Sequence, residues 1–380
     1  MKRNLIVLSS TIAVSLLSLT TWLYILPIFL KDLGASDPNV GLSYTIFTLG
    51  NTAFQFLGGF IADRWGRKWV IAIPTYFIAI SAIIISLARV WWVVTVFYGM
   101  MTVLSSIQWP AFLAMIGESC SRKERAFSIF EFSLVSGLAF GPLLGFWLLN
   151  FLQIRQLIVM TGVILFLSAV ARHLFLYETL KVRGELRFDF NKIFTREVKT
   201  FLAGSVFLYL LFSLSINGPF ISLHLKDFGL DERKINLIIS YSTIFSLVVS
   251  IFAARILHDE NLKRWFVISI IIHASTIYLW SYLKPGIVNS IILMTSFGAV
   301  QIVFIGYNSI VSQLSPENLR ARTIGTIGSI NGIISSGGPY AGMIVKLHYS
   351  IHATFVMGVI FGIFSSLLFR KVNYPKTISR

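Results

Sequence analysis

The sequence predicts an all-α membrane protein of twelve spanning helices, arranged as two six-helix pseudo-repeats. Three observations predict it. Apolar runs long enough to cross a bilayer recur from end to end. Basic residues collect in alternate loops. The second half repeats landmarks of the first at a nearly constant offset.

Of the 380 residues, 56% are hydrophobic and 13% are charged. An ordinary soluble chain carries about 25% charged residues, which excludes the soluble and disordered classes. A hydrocarbon core of roughly 30 Å needs about 20 apolar helical residues to cross it. Such runs fall at 5–30, 40–62, 69–88, 90–116, 126–149, 157–176, 201–225, 235–257, 265–283, 287–314, 323–345 and 351–369. The first follows Met1-Lys2-Arg3 in the manner of a secretion signal. It is too long for one and has no small-residue cleavage site, so it is expected to stay as a span.

An even number of spans puts both termini on one side. Of the 32 Lys and Arg, 8 fall in one set of alternate loops: Lys31, Arg89, Arg155, Lys226, Arg233, Lys234, Lys284 and Lys346. The other 24 fall at the termini and near 63–68, 118–125, 172–199, 255–264 and 317–322. This bias places both termini in the cytoplasm of a cell-membrane protein. It also accounts for the net charge of +16 as a basic face against an anionic leaflet. Nucleic acid is not an expected partner. Cys120 is the one cysteine, which excludes an internal disulfide. It reads as a small apolar residue near a helix end.

The longest loop, Tyr177 to Thr200, holds Lys181, Arg183, Glu185, Arg187 and Asp189. It is expected to be a cytoplasmic linker, 177–200, between bundles 1–176 and 201–380. No other loop is long enough to hold a soluble domain.

The two halves match in order. Phe29-Leu-Lys-Asp-Leu-Gly34 returns as His224-Leu-Lys-Asp-Phe-Gly229, and Ser43-Tyr44 as Ser240-Tyr241. Arg67-Lys68-Trp69 returns as Lys263-Arg264-Trp265, with Asp63 and Asp259 each four residues before. Arg125 precedes Gly141-Pro142-x-x-Gly145 as Arg322 precedes Gly338-Pro339-x-x-Gly342. Five ordered matches indicate duplication. Two parallel halves imply a cavity between them near the midplane, opened to each side in turn.

The loop after span 2 reads Gly59-Phe-Ile-Ala-Asp63-Arg64-Trp-Gly66-Arg67-Lys68. This resembles in full the signature of the major facilitator superfamily, and with the six-plus-six repeat the resemblance covers the whole chain. Gly59 is expected to permit close helix approach, and Gly66 to take the positive φ of a tight turn. The resemblance implies that Asp63 accepts from N–H groups at the start of span 11, near Thr323. It implies that Arg67 pairs with an acid at the end of span 4, for which Glu118 is the candidate. Such a network, with Arg64, Lys68 and Arg125, would latch one transport state. The alternative is a set of solvated cytoplasmic charges. The second copy has Arg255 and Leu262 where the glycines stand, and is expected to support structure only.

Gly137, Gly141 and Gly145 fall at i, i+4 and i+8 around Pro142. They form a smooth stripe for close helix packing, and Pro142 favours a kink. The pattern resembles the span-5 motif of the drug/proton antiporter branch, with Phe146 in place of its last glycine. Export and plain packing stay open as readings, and Gly338, Pro339 and Gly342 repeat the motif. Antiporters of this branch often carry an arginine in span 4. Here 90–116 has no charge, and Tyr98 stands at that place.

Ionisable groups inside a bilayer are costly and therefore suggestive. Glu131, in span 5, is the one acid that qualifies, six residues past Arg125. It is a candidate proton carrier or cation contact, or else a gate residue pairing with a base such as Arg322. His273 reads as a satisfied structural histidine and His224 as interfacial. No metal-ligand cluster, nucleotide loop or catalytic set is present in the sequence, so no cofactor, metal or enzymatic activity is expected. Candidate cavity residues are Trp22, Asn51, Gln108, Trp109, Asn217, Tyr241, Gln301, Tyr307 and Asn308. They are nearly all neutral, which suits an apolar or uncharged solute, or a cation on aromatic faces. No Lys or Arg is read as lying mid-membrane.

The expectation is a monomeric secondary transporter of a small organic solute, with proton-coupled efflux of a hydrophobic or cationic compound leading. Uniport or symport of a neutral metabolite such as a sugar is the alternative. A non-transporting sensor or assembly protein on the same scaffold is the second.

Overall fold

The computed structural model describes residues 2–119, 123–180, 194–258, 260–315 and 320–373, and every regular element among them is an α-helix. In chain order these are α1 (Lys2–Leu23), α2 (Leu26–Asp32), α3 (Asp37–Ala53), α4 (Gln55–Trp65), α5 (Arg67–Leu87), α6 (Trp91–Ser119), α7 (Lys123–Leu148) and α8 (Ile154–Phe175). There follow α9 (Arg196–Ser213), α10 (Phe220–Asp227), α11 (Glu232–Ile256), α12 (Leu262–Ser281), α13 (Ile287–Leu314), α14 (Arg320–Ser335), α15 (Gly337–His348) and α16 (Ile351–Lys371). Cys120, Asp259 and the linker charges Lys181, Arg183, Glu185, Arg187 and Asp189 lie outside the described residues, as do the side chains of Arg255 and Arg322.

Each of the twelve apolar runs is helical, but four are divided in two: α1–α2, α3–α4, α9–α10 and α14–α15. Nine helices among the described residues are long and apolar enough, by length and composition, to cross a membrane uninterrupted. Proline explains most of the divisions. Pro27 has no N–H for the Leu23 carbonyl, and α1 ends at Leu23. Pro339 likewise offers nothing to Ser335, where α14 ends. Pro219 sits at the N-cap of α10. The break at Phe54 has no proline. There the Thr52 hydroxyl and the Gln55 amide donate to the carbonyls of Thr48 and Asn51, at 2.9 and 3.2 Å, and compete with the backbone ladder. Pro74, Pro110 and Pro142 lie inside unbroken helices.

The sequence repeat is also a repeat of local structure. α2 and α10 both end at glycines of positive φ, Gly34 at 87° and Gly229 at 82°. Only glycine takes that backbone without steric cost. Two residues later each chain starts a new helix with a capping side chain. Ser36 accepts from Asn39 N, and Asp231 accepts from Lys234 N.

Contacts group the chain into two compact units, Met1–Leu186 with Leu230–Ser240, and Arg187–Gly229 with Tyr241–Arg380. In the first, α1 packs on α7 and α8, and α5 on α6 and α8. In the second, α9 packs on α14 and α16, and α12 on α13 and α16. These pairings correspond run for run. Each unit has its own apolar core. One is built around Phe112, Met115 and Phe130, the other around Phe201, Phe266 and Phe369.

Candidate functional site

A single residue, Gly66, joins α4 to α5. Its φ is 97°, and the next residue, Arg67, begins a helix. Arg67 turns its side chain inward and forms an ion pair with Glu118 at the end of α6. Asp63, one turn back, lies 4.0 Å from the same guanidinium. Lys68 lies over the Trp69 ring, 5.4 Å from its centre. Arg64 and Arg125 are exposed.

The first N–H groups of α5 have no partner within their own helix. Glu178 supplies one. Its carboxylate accepts from Arg67 N and Lys68 N, both at 3.1 Å. Negative charge at a helix N-terminus is doubly favoured, by these bonds and by the helix dipole. A Cβ at Gly66 would strike this carboxylate, so the glycine is required for room as well as for φ. The neighbouring Tyr177 exchanges two backbone–side-chain bonds with Asn4, both 2.9 Å, and its hydroxyl accepts from Arg3 at 2.7 Å. Sequence reasoning assigned Glu178 to the linker. The one signal available was an acid just past the end of a span.

The close approach expected at Gly59 occurs one residue earlier. A Cβ on Gly58 would collide with the Ile107 backbone of α6, whereas one on Gly59 would meet only Pro110 Cβ at an ordinary 3.8 Å.

The glycine stripe of α7 lies against α1. Side chains at Gly137, Gly141 and Gly145 would strike Ala13 and Leu16, Thr20, and Thr21 respectively. Thr20 Oγ1 donates to Gly137 O at 3.1 Å across this seam. Beside Gly145, Asn236 Nδ2 donates to Thr21 O at 2.7 Å. α7 runs unbroken through Pro142. In the second unit Gly338 and Gly342 press on Ser213 and on Phe220 and Leu214, with α14 divided from α15 just before Pro339.

Glu131 follows Phe130, which is fully buried in the first unit's core, and points away from that core. Among the candidate cavity residues, Asn51, Asn217, Tyr241 and Asn308 are exposed, and Trp109 and Gln301 are half-buried. Three others are corrected to interior positions. Trp22 is fully buried, donates from Nε1 to Thr161 Oγ1 at 3.0 Å and meets Tyr98 edge to face. Gln108 donates from Nε2 to Ile71 O and Thr75 Oγ1, at 3.0 and 2.9 Å. Tyr307 lies among Phe201 and Tyr209, and its hydroxyl accepts from Asn331 at 3.1 Å.

His273 is buried with both ring nitrogens engaged, Nε2 at 3.0 Å from Ser215 Oγ and Nδ1 at 2.8 Å from Ser296 Oγ. Ser215 Oγ also donates to Leu211 O at 2.8 Å. His224, expected at the interface, is buried, with Nε2–H donating to Ser281 O at 2.8 Å.

Arg172 was missed. Counting it with the linker bases puts its charge in water, yet it is 2% exposed on the last turn of α8. Nε donates to Thr11 Oγ1 at 3.0 Å and Nη1 to Thr75 Oγ1 at 2.9 Å. The guanidinium lies over Phe112, 4.9 Å from the ring centre. Helical side chains lean toward their own N-terminus, which here carries the head into the bundle. Thr75 is eight residues into α5, about 12 Å from its start. The packed interior of the first unit therefore holds an arginine.

A profile of the Major Facilitator Superfamily matches residues 8–339 and 202–379. Over 377 residues the chain is 22% identical to the multi-drug resistance efflux pump PmrA homolog of Lactococcus lactis, covering 93% of this chain and 91% of that one. It is 24% identical over 389 residues to multidrug resistance protein 2 of Bacillus subtilis, covering 95% and 94%. It is 22% identical over 362 residues to the quinolone resistance protein NorA of Staphylococcus aureus, covering 91% and 89%. Its fold is similar to that of the human organic anion transporter MFSD10, with TM-score 0.73, 15% identity and coverage of 97% and 99%. The nucleoside transporter NupG gives TM-score 0.73, 14% identity and coverage of 97% and 98%. With a helical multi-pass fold, a duplicated architecture and a profile that spans it, the chain belongs to the Major Facilitator Superfamily.

Proposed function

We propose that this transporter moves a small organic solute by alternating access, with bundles 1–176 and 201–380 as its two parts. We further propose that it performs proton-coupled efflux of a hydrophobic or cationic compound across the cell membrane, with both termini cytoplasmic. The observation that carries the reading is the match, over about nine-tenths of each chain, to multi-drug efflux pumps. The latch reading of the α4–α5 loop is supported by the Arg67–Glu118 pair and by the cap that Glu178 places on α5. Glu131 is the coupling candidate: it is the one acid in the span-5 run and is turned out of its own unit's core.

A neutral-metabolite uniporter or symporter is the second reading. The exposed amides of Asn51, Asn217 and Asn308 favour it, because they offer hydrogen bonds without charge.

Purified protein in proteoliposomes with an imposed pH gradient separates the two. The efflux reading expects gradient-driven solute accumulation that E131Q abolishes while solute exchange persists. Accumulation unchanged by E131Q removes Glu131 as the coupling site. Flux indifferent to the gradient favours the uniporter.

A further inference from the structure

We propose that Arg172 selects solutes by charge: it is a fixed cation inside the first unit that favours neutral and anionic solutes over permanent cations. The inference rests on the transport reading and departs from its cationic cargo, keeping the hydrophobic uncharged one.

A guanidinium does not lose its proton in a protein. Arg172 therefore carries a full charge where it sits. Its partners are two threonine hydroxyls and a phenyl ring, all neutral. Thr11 Oγ1 and Thr75 Oγ1 each spend their own proton on a carbonyl one turn back, at 2.7 Å, and so receive from the arginine as plain acceptors. Among the described residues no carboxylate lies within ion-pair distance of it, and Nη2 is buried with no acceptor at all.

Stability does not explain such a residue. A buried charge without a counter-charge is unfavourable, and apolar side chains of similar size commonly replace buried ionic groups without loss. What the guanidinium supplies is a field. In a low-dielectric interior that field falls off slowly. Arg172 also touches two helices of the first unit, α1 through Thr11 and α6 through Phe112, and α6 carries the half-buried cavity candidate Trp109. A solute passing along those helices meets a positive potential from behind the wall. The sequence reading places no Lys or Arg mid-membrane and puts a hydrophobic or cationic cargo ahead of a neutral metabolite; the buried arginine weighs against the cationic member of that pair.

The test uses the full chain in proteoliposomes and one aromatic scaffold bearing a trimethylammonium, a hydroxymethyl or a carboxylate group. KM is measured for each with wild type, R172K and R172M, alongside thermal melting. Wild type is expected to prefer the neutral and carboxylate members. R172M should shift the trimethylammonium-to-hydroxymethyl KM ratio by about tenfold toward the cation, the effect of one charge at roughly 12 Å and an effective dielectric of about 20. R172K should keep the wild-type ranking with a lower kcat, and R172M should melt near wild type. If R172M does not fold, R172Q carries the same comparison. An unchanged ranking in the neutral variants overturns the inference alone, as does a steep loss of melting temperature with no change in ranking. Transport of none of the three by wild type overturns the transport reading and the inference with it.

Discussion

Glu178 holds the first turn of the helix that Arg67 opens, accepting the N–H groups of Arg67 and Lys68 at 3.1 Å each. The same arginine extends its side chain to Glu118. The backbone of Arg67 is thus fixed from one side and its charge from the other. E178A removes the cap and should lower stability by about 1 kcal/mol, the usual cost of losing an N-terminal acceptor. E178Q keeps an acceptor oxygen and should lose less. Thermal unfolding of the three proteins in one detergent checks the order. Equal melting of E178A and wild type would mean that water replaces the carboxylate at no cost.

Gly58 and Gly59 give a sharper contrast, because they are neighbours of identical chemistry. A methyl at Gly58 meets the backbone of Ile107, which cannot swing aside. A methyl at Gly59 meets one carbon of Pro110 at contact distance. G58A should cost about 1–3 kcal/mol through overpacking. G59A should be neutral within about 0.5 kcal/mol. The same melting measurement decides, and a destabilised G59A beside an intact G58A would reverse the assignment.

Gln108 was a cavity candidate and is instead a strut between α6 and α5. Its amide donates to Ile71 O and Thr75 Oγ1, and Thr75 in turn receives Arg172. Q108L leaves a carbonyl and a hydroxyl each without one donor. It should cost about 1–3 kcal/mol while leaving the relative KM values of a solute series unchanged. A shift in solute preference without loss of stability would return Gln108 to the cavity wall.

These cases show what sequence pattern reports and what it does not. Twelve apolar runs were legible because composition along the chain is set by the bilayer. The hairpins ending at Gly34 and Gly229 were legible because identical local sequences meet identical local demands. Which face a residue turns was not. Trp22, Gln108 and Tyr307 are the same residue types that line cavities, and only the packing of α1 and α8, α5 and α6, and α9 and α13 shows them facing inward. Arg172 lies at the end of its run, where bases ordinarily snorkel to water. Its inward lean follows from helix direction, which a charge count ignores. Glu178 needed a partner 111 residues away in sequence to acquire a role.

The ion pair of Arg67 and Glu118 offers the most direct probe of the signature loop. The arginine is largely shielded, with 12% of its side chain exposed, against 40% for the acid. Partial exposure places its worth toward the modest range of surface pairs, about 0–1 kcal/mol. R67E alone sets two acids against each other and adds the neighbouring charges of Asp63 and Glu178. It should lower both stability and transport. The exchange R67E/E118R restores opposite charges across the same gap, but leaves a glutamate at the start of α5 beside Glu178. Partial rescue is therefore expected, and more of it at high salt, where residual repulsion between exposed carboxylates is screened. Transport rates of the single and double variants at two ionic strengths measure this. A double variant no better than R67E would show that the guanidinium geometry, rather than the sign of the pair, is what the loop requires.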